Sequence, residues 1–404
     1  MEYDVIIVGA GPAGSTTARS CAGKGLKTLL IEKDRFPRYK PCGGFLSPRV
    51  LKELDFDIGR IIESTVSEAK LTFQLKDPFS IVSPNPIGYL VMRDSFDHLL
   101  CREAQERGAD LYEGTRVVTV RQDAEGVDVS MEGGRPIRCR YLIGADGARG
   151  VVALLLNGGV MRKMGVALEG EGRLPAGIRK KWSSVHLDLG VIPNGYGWIF
   201  PKGSFVSFGI GVTLPSKGMK LRSRLERFIA GVDYIGEVEM EKVYSYPMPT
   251  FSGDDLLLSK GRVLLVGDAA NLIDPLTGEG VYYAIKSGQI AAGAIVKAIK
   301  EDRKRVTEYG ESLKRTLLVD LAAALRLSKA IYRFPRLAYT VFKSNRSLGL
   351  LYLHILAGNA RYGNFSRGMI DGIRRHLRGK MTSNDGNVHG LRVKKGYFPG
   401  HACQ

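Results

Sequence analysis

The sequence of 404 residues contains no apolar run of the roughly 18 to 20 residues that a membrane-spanning helix requires. Its first apolar stretch, Val5 to Val8, is short and runs straight into a glycine-rich turn, unlike a leader, so neither a span nor secretion is expected. Cysteine is scarce and scattered. Cys21, Cys42, Cys101, Cys139 and Cys403 form no CxxC pair and share no His/Cys spacing that suits zinc or an iron-sulfur cluster. No metal site is expected, and a reducing, cytoplasmic setting fits, including a peripheral position on the inner face of the membrane. There is no recognition helix, RNP-type aromatic pair or zinc finger, which argues against nucleic acid as a partner. Internal repeats are missing, and no Ser/His/Asp arrangement can be assembled.

Acidic residues are in deficit, with 41 Asp and Glu against 59 Lys and Arg, leaving a formal charge of +18. A field of that size gathers anions at the surface. The candidate partners are therefore an anionic membrane surface, which attracts each nearby basic side chain by about 1 kcal/mol, and an acidic electron-donor protein. Hydrophobic and charged fractions of 44% and 25% are ordinary for a globular chain, and the length exceeds one ordinary domain.

What is present starts at the N-terminus, where YDVIIVG, AGPAGSTTARSCAGKG and LKTLLIEKD read as strand, glycine turn, helix and strand. Gly9, Gly11 and Gly14 form GxGxxG between the strand and the helix, the context that makes a common pattern specific. The backbone there can approach a pyrophosphate, whose charge the helix N-terminus favours. Glu32, at the end of the second strand, can accept both ribose hydroxyls and disfavours a 2′-phosphate, so the spacing predicts FAD or NAD over NADP.

Downstream, a helix is expected from Arg93 to Gly108, then strands near 116–120 and 127–131, and RYLIGADGA as a buried strand entering a loop. SSVHLDLG, YGWIFPKG and SFVSFGIGV read as antiparallel strands of a second sheet. GRVLLVGDAA returns to nucleotide-site language, followed by a helix over about 279–297. The expected fold class is α/β. A discontinuous Rossmann-type FAD-binding domain (1–75, 93–160 and 261–300) joins an antiparallel β-sheet substrate domain (76–92 and 161–260) and a basic C-terminal helical region (301–404). Tyr196, Trp198 and Phe200 alternate along one strand face, either as a substrate wall that grips a flexible chain by area or as ordinary sheet core. Lys202, after them, reads as a solvated charge. Two basic amphipathic helices after Lys314, with nine Lys and Arg in the last 44 residues, suit either a membrane surface or closure of the substrate cavity.

Three motifs carry a family likeness. GADGA at Gly144–Ala148 and GRVLLVGDAANLIDPLTGEG at Gly261–Gly280, with the N-terminal glycines, resemble the FAD fingerprints of the para-hydroxybenzoate hydroxylase-like flavoprotein superfamily. The resemblance implies FAD as cofactor, Asp268 on the ribityl chain, and a loop from Pro275 through Gly278 to Gly280 that turns backbone N–H groups to the flavin pyrimidine edge. It implies a phosphate or ribityl contact for Arg93, where the alternative is a surface arginine at a helix start. Ala13, Lys33, Val118, Asp146, Gly147 and Gly267 complete the expected cofactor-binding set. One departure follows GADG, where Gly150 stands at a position usually held by a small polar residue.

KPCGGFLSPRVL at Lys40–Leu51, IPNGYGWIFPKG at Ile192–Gly203 and DPLTGEGVYYAIKSG resemble the geranylgeranyl reductase family, over roughly residues 1–300. That family reduces isolated double bonds in prenyl chains, which implies a prenyl substrate on a lipid, diphosphate or quinone carrier. Cys42, Gly43 and Gly44 then form a loop able to touch the isoalloxazine ring. Cys42 is the candidate catalytic residue: it can donate a proton to the alkene, position or gate the flavin, or simply pack. A thiol is a weak acid for the first task, so water competes. Only one GxGxxG follows a strand, so reduction must come from a transient donor, NAD(P)H or a ferredoxin-like protein. The rivals are a monooxygenase or halogenase, against which the missing WxWxIP pattern counts, and a quinone-linked dehydrogenase, which would carry four clustered cysteines.

Overall fold

The computed structural model describes residues 1–159, 164–174, 184–232, 238–253 and 256–363, with 368 and 370. Three sheets organise the chain. The first has eight strands, with Val263–Leu265, Ile137–Gly144, Tyr3–Val8, Thr28–Ile31 and Asp110–Tyr112 as its parallel centre. The central strands Val263–Leu265, Tyr3–Val8 and Thr28–Ile31 are apolar nearly throughout because both faces are covered, whereas Asp110–Tyr112 is an exposed edge. Val5, Ile6, Ile7, Leu29, Leu30, Leu142 and Leu264 have no exposure at all. Helices Pro12–Ala22, Arg93–Glu106 and Val281–Lys300 pack together on this sheet.

Close helix packing explains Gly14. A Cβ there would sit 1.8 Å from the carbonyl oxygen of Gly9, which no neighbouring backbone can yield. The antiparallel pair Val117–Gln122 and Val127–Met131 joins the sheet through Ile137–Gly144.

The second sheet has seven strands in the order Glu239–Met248, Gly165–Arg173, Phe205–Val212, Gly195–Lys202, Ser184–Leu189, Glu68–Phe73 and Lys76–Val82. It is antiparallel except where Glu68–Phe73 runs alongside Ser184–Leu189. The boundary expected at 75/76 thus falls inside a hairpin of this sheet, and the chain crosses into it at Ser67. Residues 88–91, expected in the substrate sheet, instead pair in a third sheet of Phe45–Leu46, Gly88–Val91 and Ile62–Val66.

After Val281–Lys300 come helices Glu308–Leu313, Val319–Arg333, Pro335–Ser344 and Arg346–Leu356, with a π turn at Lys314–Leu318. The stretch after Phe334 forms two helices divided at Asn345, whose non-helical backbone (φ −134°, ψ 86°) ends the first. Their apolar faces turn inward. Tyr339, Leu353 and Leu356 pack on Leu71, Ile81, Trp198 and Phe200 of the second sheet. The basic tail beyond Gly363 lies outside the described residues except for two positions. Among the described residues no helix is long and apolar enough to cross a membrane, and no cluster of candidate metal ligands occurs.

Candidate active site

One cavity of about 670 Å³ runs from the glycine turn of the first sheet, past the CGG loop, to the C-terminal helices. Gly9, Gly11 and Ala13 line its nucleotide end with Glu32 and the half-exposed Lys33. The Glu32 carboxylate is held in place by backbone N–H groups of Ala10 (2.9 Å) and Asp34 (3.2 Å). Arg38, which the motif reading passed over, reaches across the turn to Glu32 at 3.4 Å and to Asp97 at 3.1 Å. It places a cation where a pyrophosphate would sit.

Three expected contacts are displaced. Gly14 and Gly267 stand behind the cavity wall. Gly267 donates its N–H to Ser287 Oγ at 3.0 Å, and a Cβ on it would meet Ala13 at 2.9 Å, so it brings helices together instead of facing a ligand. Val118 is 45% exposed, while its neighbour Val117 is 6% exposed and lines the cavity. Strand alternation sends adjacent side chains to opposite faces, so the expectation was off by one position.

Asp146 and Gly147 line the cavity as expected. One Asp146 oxygen accepts the Val152 N–H at 3.0 Å, while the buried Oδ1 has no partner, and burial pushes the carboxyl up to about 6. A Cβ at position 150 would lie 2.1 Å from that Oδ1. The glycine that departs from the superfamily pattern is therefore the residue that leaves room for this carboxyl.

Asp268 faces the cavity from a short 3-10 turn, opposite Lys40. Burial pushes Lys40 down to about 8, against the pull of Asp268, and its ammonium lies 3.2 Å from the centroid of the Tyr246 ring. Arg93 is buried and pairs with Asp97 through two bonds of 2.8 and 3.0 Å, beside Cys42. It is no surface arginine.

The loop from Pro275 to Gly280 lines the cavity, but most of its N–H groups are already used. Those of Leu276 and Thr277 donate to the Asp274 carboxylate (2.8 and 3.1 Å), that of Gly278 to the Asp274 carbonyl (2.9 Å), and that of Glu279 to Thr277 Oγ1 (3.1 Å). At the loop's end, the first turn of helix Val281–Lys300 offers N–H groups that have no partner within the helix. Tyrosines from three elements fix the loop: Tyr196 donates to Thr277 O, Tyr332 to Leu276 O (2.6 Å) and Tyr362 to Asp274 (2.6 Å). Beneath it, Glu279 accepts from Ser47 and from the buried Arg49.

At the other end Tyr196, Trp198 and Phe200 line one wall, their successive ring centroids 6.0 and 6.3 Å apart. Leu71, Ile81 and Leu187 continue the slot, and Ile331, Phe342, Leu353 and Leu356 of the C-terminal helices close it. The sequence signal for these last residues was the apolar face of the basic helices. The CGG loop lies on the aromatic wall, since a Cβ at Gly43 would be 2.9 Å from the Phe200 ring and 3.2 Å from Trp198 Nε1. Gly44, also in the lining, has φ +70° and donates its N–H to Cys42 Sγ at 3.5 Å.

Lys202 is not a solvated charge. It is 1% exposed, and its ammonium bridges Glu171 (2.8 Å) and the carbonyl of Cys42 (3.2 Å). Glu169, two residues before Glu171 on the same strand face, is 2% exposed and lines the cavity. Ser207 donates to it at 2.8 Å, and burial pushes its carboxyl up to about 7. The interruption of an apolar strand by two acids, GVALEGEGR, was the signal that sequence reasoning missed.

The glycine turn, Glu32, the orphan oxygen of Asp146 and Asp268 fit an FAD. Residues 2–174 match the FAD binding domain family, and FAD is the cofactor. The chain is 32% identical over 320 residues to geranylgeranyl diphosphate reductase of Rhodobacter capsulatus, covering 75% of this chain and 77% of that one. It is 31% identical over 307 residues to menaquinone reductase of Mycobacterium tuberculosis, covering 72% and 75%. A solved structure described as geranylgeranyl bacteriochlorophyll reductase-like, from Thermoplasma acidophilum, superposes with a TM-score of 0.74 at 24% identity, covering 94% of this chain and 99% of that one, and so shares the fold.

Proposed function

The chain belongs to the geranylgeranyl reductase family of FAD-binding proteins, and on that premise we propose that it saturates carbon-carbon double bonds of a geranylgeranyl or other polyprenyl chain. The observation that carries this reading is the continuity of the cavity, from nucleotide loops to an aromatic and aliphatic slot, with the CGG loop at the junction. Bound FAD, once reduced, supplies the hydride. The protein supplies the rest. Trp198, Phe200 and the C-terminal helices hold a flexible apolar chain by contact area and keep water from it. Cys42 lies where the two ends of the cavity meet and is assigned the contact with the reacting atoms. The carrier of the chain is a lipid, a diphosphate or a quinone.

Electrons arrive from a transient redox partner. The charge of +18 supports an acidic, ferredoxin-like protein over a docked nicotinamide, and the rate of flavin reduction by such a donor should fall as salt rises. The same charge supports a cytoplasmic protein resting on an anionic membrane surface, which flotation with and without anionic lipid tests.

The central experiment is anaerobic. The flavin is reduced with dithionite, a geranylgeranylated lipid or geranylgeranyl diphosphate is added, and flavin reoxidation is followed with product mass. Reoxidation without oxygen and a gain of two hydrogens per double bond is the expected outcome. A flavin that stays reduced until air enters, and then oxygenates an aromatic substrate, would favour the monooxygenase reading.

A further inference from the structure

Hydride addition to an isolated double bond needs a proton at the other carbon, and the described cavity wall holds an acid placed to give it. Glu169, Gly209 and Trp198 form one row across three strands. Gly209 leaves no side chain between them, so the indole lies across it: a Cβ there would be 1.9 Å from the ring. Trp198 Nε1 donates to Ser207 Oγ at 3.3 Å. An indole N–H is a donor only, so Ser207 accepts there, and its own hydroxyl donates to Glu169 Oε1 at 2.8 Å. Ser207 is the one hydrogen-bond partner of the Glu169 carboxyl among the described residues. With Oε1 occupied as an acceptor, a proton on the neutral acid resides on Oε2, which has no hydrogen bond among the described residues, in a side chain that borders the cavity.

This acid stands beside the CGG loop. Gly43 rests on the indole of Trp198, and Lys202 ties the Cys42 carbonyl to Glu171, two residues along from Glu169. Among the described residues, the charged and titratable groups that face Glu169 are Glu171 on its own strand, Lys202 on Gly195–Lys202, Arg93 on its helix, and Tyr39 on the loop before Cys42. Tyr39 is packed against Tyr244, the cross-strand neighbour of Glu169. Desolvation and Glu171 favour the neutral acid; Lys202, Ser207 and Arg93 favour the carboxylate.

We propose that Glu169 is the acid of the reaction, giving its Oε2 proton to one carbon of the prenyl double bond as hydride reaches the other, with Ser207 and Trp198 as positioning residues. The proposal rests on the prenyl reductase reading. The step balances as one hydride and one proton added across the bond. Two electrons leave the reduced flavin with the hydride, the π pair closes the new C–H bond to the proton, and Glu169 is left as carboxylate to regain a proton from solvent. Cys42 is then left to contact the chain and not to acidify it.

The neutral form carries the proton and the carboxyl sits near 7, so prenyl-driven reoxidation should be full below that pH and fall above it. The test has two readouts on the intact flavoprotein. Infrared titration should show a protonated-carboxyl band that disappears with a midpoint near 7, is absent from Glu169→Gln, and moves to higher pH in Ser207→Ala, which loses a donor to the carboxylate. Single-turnover reoxidation by the prenyl substrate should slow about 100-fold or more in Glu169→Gln at unchanged flavin content, with partial recovery in Glu169→Asp. A band that never titrates, or equal reoxidation in the wild type and Glu169→Gln, would overturn the assignment alone. A titrating carboxyl in a wild type that no prenyl substrate reoxidises would sink the function, and the donor role with it.

Discussion

The two ends of the cavity are built on different principles. The nucleotide end is backbone: a glycine turn, a helix N-terminus and the bend at Gly147, with a few carboxyls set around them. The chain end is side chain: aromatic rings from one strand, aliphatic groups from a neighbouring hairpin, and apolar helix faces that arrive some 130 to 160 residues later. A rigid, charged ligand needs donors at fixed positions, which only a strict local sequence can supply. A flexible hydrocarbon needs area and shape, which many residues can provide from anywhere in the chain.

If that contrast is right, the two ends should fail differently. The largest effect is expected at the glycine turn. Gly14→Val would press a side chain into the Gly9 carbonyl, 1.8 Å from the nearest Cβ position, and should yield protein without bound flavin, measured by visible absorbance after purification. Retained flavin in a folded Gly14→Val would break the comparison. Phe342→Ala, at the helical side of the slot, should leave flavin content unchanged while raising KM for the prenyl substrate about tenfold, from the loss of about 1.5 kcal/mol of apolar contact. A parallel loss of flavin would show that the ends are not separable. Smallest of all, Val118→Lys should change stability by less than about 0.5 kcal/mol and flavin content not at all, because that side chain faces solvent, whereas Val117→Lys should affect both.

The same contrast explains what could be read in the sequence. GxGxxG with Glu32, GADGA and the GDAANLIDPLTGEG stretch are local, so their spacing alone pointed to a dinucleotide, and their likeness to a family pointed to FAD. The alternation of Tyr196, Trp198 and Phe200 was legible because a strand repeats every two residues. Ile331, Phe342 and Leu356 were not, since nothing in a helix's apolar face says which surface it meets. Arg38, Glu169 and Lys202 were missed for a related reason. A charge in sequence looks solvated until the partner that buries it is known, and Asp97, Ser207 and Glu171 are all distant along the chain. Val118 shows the limit of a strand assignment without register, since one position exchanges wall for surface.

The strip from Asp274 to Gly280 belongs to both ends. Tyr196, itself part of the aromatic wall, and Tyr332, from a helix that closes the slot, hold the segment that leads into helix Val281–Lys300. Genetics on this strip will therefore be pleiotropic. A change at Thr277 or Leu276 alters the floor of one compartment and the ceiling of the other, and a lowered turnover there cannot be credited to cofactor or substrate until the occupancy of each has been measured separately.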